Sequence, residues 1–400
     1  MTLLKNTIHK TGVLTVITVM ALLLAADRLQ AQKLHYPERW KEPLKTVLPL
    51  YRQDTVSLCF IGDVMMHSKQ LEKACKDIST YDFSNYFSHL EQDLKSADIA
   101  VANMEFSLGG EPYSGYPSFS APDALAEHMA ETGVDIFLTA NNHIYDRGLS
   151  GAERTLEQYR SLCKKYGCSF IGMASDEREK AENTPLIVTI KGLKLAFLNF
   201  TYATNGGRRE SWPKVCYMDD RKEIQKAIEK AREAKADMII ALPHWGEEYQ
   251  LEHSAAQENM AQWLTDQGVN IIIGTHPHVV QDCAVLTGEL DGVKTPVVYS
   301  LGNAISNMSA KNTQVELMAK ARIVRHCNGD IELLPLDLIF LWCSRPGGFD
   351  RDYTVLPIMK YADKRDSWLS PTDYDNMMSS FRRVAEATGI NIKEIKYIDE

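Results

Sequence analysis

Acidic, amide and imidazole side chains recur along this chain in short clusters, each directly after an apolar run. The clusters are Asp63, Asn103-Met-Glu105, Asn141-Asn-His143 with Asp146 and Gly148, Pro243-His-Trp-Gly246, Gly274-Thr-His-Pro-His278 and Ser300-Leu-Gly-Asn303. An α/β fold carries its chemistry on loops at strand ends, so these endings read as one divided site. Carboxylates, an amide oxygen and imidazoles without a thiolate suit Mn, Fe or Zn in an open site rather than a closed structural zinc. Two ions about 4 Å apart that share a carboxylate serve hydrolysis or phosphoryl transfer.

Taken singly, each cluster also has a plainer reading. Asp63 after Gly62 reads equally as a turn or cap residue, and His67 falls on the first turn of the next segment. Asn103 and Glu105 share one face of an extended backbone. Asn142 and His143 arrive abruptly after an apolar run, one able to ligate through its amide oxygen and the other to donate a proton. Asp146 either caps the following helix or holds the His143 imidazole. His244 could be a core histidine, and Trp245 reads as core more readily than as a stacking platform. His276 and His278 flank a proline and point to a common side of an extended chain, which makes this pair the strongest single cue.

The elements that must position these residues follow from periodicity. Strands are expected at 56–62, 99–103, 136–140, 186–190, 193–199, 238–242, 271–274 and 297–300, and helices at 123–131, 151–166, 220–235 and 254–267. Gly133, Gly167 and Gly268 are helix stops. Hairpins turn at Lys191-Gly192 and Asn328-Gly329. Early strands alternate with helices, so the fold class is α/β (α+β by some schemes), a mixed sheet system flanked by helices. Residues 373–387 form an amphipathic helix after Pro346-Gly-Gly348.

The organisation reads as a signal peptide at 1–31, an irregular lead-in at 32–54, a main domain at 55–342 and a C-terminal helical extension, 343–400, packed on it. The apolar run 13–26 follows Lys5 and Lys10 and is short for a membrane span, so export with cleavage near Ala31 is expected, with an uncleaved anchor as the rival. The chain would then be periplasmic or extracellular. A net charge of −9 over 400 residues disfavours nucleic acid as a partner. None of the eight cysteines has metal-ligand spacing. Most are expected as buried thiols, and Cys163 and Cys168, though closest, lie on elements whose side chains diverge.

With these residues in place, residues 56–303, and more weakly up to 340, resemble the capsule-synthesis CapA or poly-γ-glutamate synthesis family of the calcineurin-like metallophosphoesterase superfamily. The resemblance implies an α/β/β/α sandwich of two mixed sheets flanked by helices. It also implies two divalent ions, one held by Asp63 and His278, one by Asn142, His244 and His276, with Glu105 as the bridge. His143, with Asp146, would be the catalytic acid. Asn103, Glu248 and Asn303 would line the substrate pocket. Two departures stand out: the superfamily's histidine two residues after the first aspartate is Met65 here, and its second aspartate is Glu105.

The resemblance implies an exported metal-dependent hydrolase or transferase in capsule or poly-γ-glutamate-type polymer biosynthesis. Its partners would be an anionic polymer or phosphorylated envelope substrate and membrane-bound synthesis proteins. Arg208 and Arg209 are candidates to bind the anion, against a solvated surface pair. The alternatives are a plain metal-dependent phosphoesterase, or a non-catalytic accessory in polymer assembly or export.

Overall fold

Runs of β-branched and aliphatic residues separated by amphipathic helices build two sheets stacked face to face. The computed structural model describes residues 54–390 except 78, 290 and 291, so the expected signal peptide and nearly all of the lead-in lie outside the described residues. In chain order the strands are β1 (Asp54–Val64), β2 (Ile99–Met104), β3 (Ile136–Leu138), β4 (Ser169–Ile171), β5 (Met173–Ala174), β6 (Leu186–Ile190), β7 (Leu193–Thr201), β8 (Lys214–Val215), β9 (Met238–His244), β10 (Ile271–Ile273), β11 (Cys283–Thr287), β12 (Lys294–Val298), β13 (Asn303–Ile305), β14 (Val315–Arg325), β15 (Ile331–Leu333), β16 (Asp337–Ser344) and β17 (Thr354–Pro357).

The first sheet has the order β17-β16-β14-β1-β2-β3-β4, with β13 beside β1 and β15 beside β14; the second runs β11-β12-β10-β9-β7-β6. Both are mixed. Strands β1 to β4 pair in parallel while β14, β16 and β17 join antiparallel, and in the second sheet β7, β9, β10 and β12 are parallel with antiparallel edges.

Alternation along β1 shows how the layers form. Leu58 and Phe60 point between the sheets, where they meet Phe197, Ile240 and Ile273 of the second sheet. Cys59 and Ile61 point the other way, under the helices Asp123–Thr132 and Gly148–Tyr166. Helices Arg221–Glu233 and Ala255–Asp266 cover the outer face of the second sheet through Ile224, Ile228, Met260 and Leu264. This is the α/β/β/α sandwich of two mixed sheets expected from the resemblance.

Several boundaries differ from those periodicity suggested. The helix after β3 starts at Gly148, three residues early, because Gly148 and Leu149 continue the turn begun by the Asn-Asn-His segment. Strand β9 runs on through Pro243 and His244, since it is parallel to β7 as far as Thr201. Strand β3 stops at Leu138, after which Thr139 and Ala140 direct their hydrogen bonds to Ile171 and the Asn199 side chain. The three helix-stop glycines do take positive φ, at 112°, 75° and 77° for Gly133, Gly167 and Gly268. Strand β16 continues to Ser344 and β17 is the sheet edge, while the helix Pro371–Thr388 buries Met377, Phe381 and Val384 in the layer between the sheets. No helix among the described residues is long and apolar enough to cross a membrane.

The cysteine expectations are corrected at two points. Cys163 and Cys168 converge, with their sulfurs 3.2 Å apart, because Gly167 turns the chain back at the helix end. Cys75 and Cys327 are exposed; Cys59 and Cys343 are fully buried.

Candidate metal centre

The parallel strands β1, β2, β3, β9 and β10 deliver polar side chains to one place, the carboxyl end of the strands, where α/β sheets hold their ligands. Asp63 lies near the end of β1, Asn103 near the end of β2 with Glu105 just beyond it, and His244 is the last residue of β9. Asn142 and His143 follow β3, His276 and His278 follow β10, and Asn303 opens β13. Two glycines permit this crowding. A Cβ on Gly62 would stand 2.0 Å from the Gly302 carbonyl oxygen, and one on Gly274 would stand 2.1 Å from that of Tyr299.

Asp63, Asn103, Glu105, His244 and Asn303 are completely buried, and Asn142, His143, His276 and His278 are nearly so. Asn103 Nδ2 donates to Asp63 Oδ1 at 2.6 Å, and the His276 amide donates to Asp63 Oδ2 at 3.0 Å. His244 Nε2 lies 2.9 Å from Asn142 Oδ1, and its Nδ1 lies 3.0 Å from Thr275 Oγ1. Asn303 Nδ2 donates to the Thr313 carbonyl and Ser306 Oγ, which turns Oδ1 toward His278 Nδ1 at 3.0 Å. The proton of His278 therefore sits on Nδ1 and its lone pair on Nε2.

Glu105 is the centre of this arrangement. Both of its carboxylate oxygens are buried without a hydrogen-bond partner. His244 Nε2 and His278 Nε2 each lie 3.7 Å away, and His143 Nε2 lies 4.0 Å away. These separations are too long for hydrogen bonds. They match the spacing of two ligands that each sit about 2.0–2.2 Å from a shared ion. Burial, and then the Asp63 charge, push the Glu105 carboxyl well above its ordinary range when no cation answers it. Burial and the neighbouring imidazoles hold His244 and His276 well below theirs, which keeps them neutral, the form that ligates. His276 Nδ1 is likewise buried without a partner.

The ligand-capable atoms fall into triads within 4.8 Å of one another: Glu105, His244 and His276; Asp63, Glu105 and His278; and Glu248, His276 and His278. The residues around Glu105 thus fit divalent metal, and buried groups left without hydrogen bonds are what a bound cation would satisfy.

The backbone reason for the histidine pair is not the expected one. His276 and His278 have φ of 100° and 59°, so the segment is not extended. Their rings converge, with centroids 5.7 Å apart, because both residues occupy the left-handed region.

His143 Nδ1 lies 2.7 Å from Asp146 Oδ2, so Asp146 holds the imidazole, and the following helix has Arg147, without a side-chain bond, at its cap. His67 caps the helix Ser68–Ala74, its amide donating to Gln70 Oε1 at 2.9 Å. Trp245 is core, with its indole N–H donating to the Tyr299 carbonyl at 2.9 Å. Glu248 is exposed at the mouth. Arg208 pairs with Asp219 over the Tyr217 ring, and Arg209 lies over Tyr145. Both arginines line a separate cavity of about 400 Å³ between β7 and the helix Arg221–Glu233. Neither makes an ion pair with the cluster among the described residues, because those nearer partners hold them.

Four residues around the centre carried no signal in the sequence. Asn205 Nδ2 approaches His143 at 3.3 Å from Nδ1 and 3.5 Å from Nε2, and Phe119 meets the same ring edge-on at 4.6 Å. Tyr202 tilts against His276 at 4.5 Å, and Tyr249 stands 6.2 Å from His278. All four sit on loops outside the apolar runs that flagged the candidate ligands.

The sequence pattern described as bacterial capsule synthesis protein PGA_cap matches residues 57–308, which include every candidate residue above. The chain is 26% identical over 313 residues to the capsule biosynthesis protein CapA of Bacillus anthracis, covering 75% of this chain and 72% of that one. It is 24% identical over 302 residues to the PGA biosynthesis protein CapA of Bacillus subtilis (strain 168), covering 72% and 73%. Among solved structures, a 5'-nucleotidase precursor from Thermus thermophilus superposes with a TM-score of 0.45 at 12% identity, over 83% of this chain; the chain spans 59% of that protein's length.

Proposed function

This chain belongs to the bacterial capsule synthesis protein PGA_cap family, and from that premise we propose that it is a metal-dependent hydrolase or transferase acting on an anionic envelope polymer of the poly-γ-glutamate type. The observation that supports it most is Glu105, a fully buried carboxylate without a hydrogen-bond partner, ringed by three imidazoles at 3.7–4.0 Å. A structural core gains nothing from a buried carboxyl without a partner, which is costly either as an unanswered charge or through the proton it must take up.

Asp63, Glu105 and His278 would hold one ion, and Glu105, Asn142, His244 and His276 the other. When bound, such ions supply Lewis acidity and neutralise developing negative charge. The chain's own groups do the rest. Asp146 accepts a hydrogen bond from His143 Nδ1–H and fixes the ring, which leaves Nε2 on the side of Glu105, where the ring, once protonated at Nε2, can deliver that proton to a leaving group. Asp63 is oriented by the Asn103 amide and the His276 backbone, so its carboxylate is set before any ligand arrives. Tyr202 and Tyr249, 37% and 42% exposed, stand beside the histidines as the rim a substrate must pass. On this reading the polymer lies outside the cytoplasm, in keeping with the apolar run at 13–26 in the sequence, and membrane-bound synthesis proteins are the partners.

The test pairs metal analysis with chemistry. The full chain loaded with Mn²⁺, Fe²⁺ or Zn²⁺ is incubated with poly-γ-glutamate and, separately, with a chromogenic phosphoester. Shortening or transfer of the polymer that is lost with chelator and with His143→Ala supports the proposal. Turnover of the phosphoester alone favours the phosphoesterase reading, and a metal-loaded protein inert to both favours the accessory reading.

A further inference from the structure

We infer that Glu248 is a metal ligand: from the solvent side it adds a carboxylate to His276 and His278, at a centre where Met65 offers no ligand. The inference rests on the two-ion reading above. At the Asp63 side the chain offers Asp63, Glu105 and His278 as a triad. Met65 is 2% exposed, its side chain packed in the helix-covered core. Its backbone is tied on both sides, the amide donating to the Ile305 carbonyl at 3.0 Å and the carbonyl accepting from Gln70 Nε2 at 3.1 Å. The thioether cannot swing into the site without breaking that packing.

Glu248 is built to reach it. The Trp245 amide donates to the Thr275 carbonyl at 3.0 Å and the Tyr249 amide to the Pro277 carbonyl at 2.8 Å. These two bonds lay the 245–249 loop along His276-Pro277-His278 and put the Glu248 carboxylate within 4.8 Å of ligand-capable nitrogens of both histidines. The backbone there is strained: Tyr249 has φ of 67°, and His276 and His278 also lie in the left-handed region. Residues other than glycine are costly to hold there, and such strain collects where geometry serves function. An independent observation points to a cation beside this loop: His276 Nδ1 is buried and has no partner. No lysine or arginine among the described residues forms an ion pair with Glu248, so its charge is not already answered by one.

An exposed carboxylate on a loop closes the ion's shell from outside, so this ion exchanges with solvent more readily than its buried neighbour. The full chain is stripped of metal and titrated with Mn²⁺ alone, with bound metal counted by mass spectrometry after desalting and free Mn²⁺ followed by electron paramagnetic resonance. Two ions in the parent, with the weaker bound at least about 10-fold less tightly in Glu248→Gln and to a lesser degree in Glu248→Asp, is the expected result. An unchanged circular dichroism spectrum shows that the exposed substitution has not unfolded the chain. Two ions with parent affinities in Glu248→Gln overturn the inference and leave the proposed function standing. A parent that binds no Mn²⁺, and none of Fe²⁺ or Zn²⁺ when the titration is repeated with each, overturns both.

Discussion

His143 and Asp146 form a fixed pair: Nδ1 and Oδ2 are 2.7 Å apart, and the same oxygen accepts the Phe119 amide at 2.8 Å. The carboxylate is anchored to the backbone of another loop while it orients the ring, so it does not follow the ring's motion. Asp146→Asn keeps the shape and removes the charge that stabilises a protonated imidazole. Turnover is expected to fall about 10–100-fold, with bound metal unchanged. Parallel rate and metal measurements check this, and loss of metal together with rate would show that Asp146 supports the site as a whole.

Glu105 weakens the metal-free protein. Its two oxygens are buried without partners beside Asp63. Glu105→Gln is therefore expected to stabilise the chelated protein by about 1–3 kcal/mol, since a neutral amide avoids both the buried charge and the proton uptake that burial forces on the carboxyl. The parent gains on adding metal, by about 2.7 kcal/mol at a free concentration about 100 times the dissociation constant, and the variant loses most of that gain. Urea unfolding with chelator and with Mn²⁺ gives all four values. A variant less stable than the parent in chelator would mean that Glu105 has a structural partner.

Close approach of the strands at the site is tested at Gly274. A Cβ there meets the Tyr299 carbonyl oxygen at 2.1 Å and the Trp245 indole nitrogen at 2.3 Å, neither at the end of a flexible chain. Gly274→Ala is expected to destabilise by about 1–3 kcal/mol and to weaken metal binding, because His276 follows two residues later. Denaturation and metal titration of the same variant read both effects, and normal stability with normal binding would mean that the sheet gives way freely.

The candidate ligands were legible in the sequence because each one ends an apolar run, and a buried strand that stops at a polar residue leaves that residue at the strand end. The pairing of Asn103 with Glu105 followed from the period of two along a strand. The left-handed backbone at His276 and His278 did not, since nothing local distinguishes an extended His-Pro-His from this one. Asn205, Tyr202 and Tyr249 were invisible for a related reason: loop residues reach a site through tertiary packing, which leaves no periodic trace. Arg208 and Arg209 stood out by charge alone, and tyrosine rings and Asp219 take up that charge locally. Strand β17 was missed because four buried residues, Thr354–Pro357, are too few to show alternation.

Away from the centre, Glu223 ties its helix to the helix Glu177–Asn183 through Lys180 at 2.8 Å, and pairs with Lys226 on its own helix at 2.6 Å. Its hydrogen bonds to these lysines lower the carboxyl from about 4.5 to about 2. A carboxyl depressed in the folded state contributes stability that is present above the unfolded value and lost as pH falls through the folded one. The contribution should therefore fade between about pH 4.5 and about pH 2, and Glu223→Gln should lack it. Chemical denaturation of both proteins at about pH 6 and about pH 3 should show a gap that narrows on acidification, modest in size because the pair is partly solvated. A gap that stays constant would place the effect in packing.

Cys163 and Cys168 share a hydrogen bond across 3.2 Å, and the contact favours a thiolate on one side: it lowers the Cys168 thiol and raises that of Cys163. The Cys168 thiolate is the form that an external disulfide oxidant captures first as a mixed disulfide, and the neighbouring Cys163 sulfur then displaces the oxidant's reduced thiol. In an oxidising compartment the two are expected to bridge, with a loss of two hydrogens found in the peptide that holds both residues. Cys59 and Cys343, fully buried and pushed upward by burial, should resist alkylation in the folded protein. Peptide mapping after oxidation, with and without reductant, decides the matter. Full alkylation of both Cys163 and Cys168 after oxidation would mean that the helix end cannot close the remaining distance, and Cys163→Ser should then change nothing in the map beyond its own label.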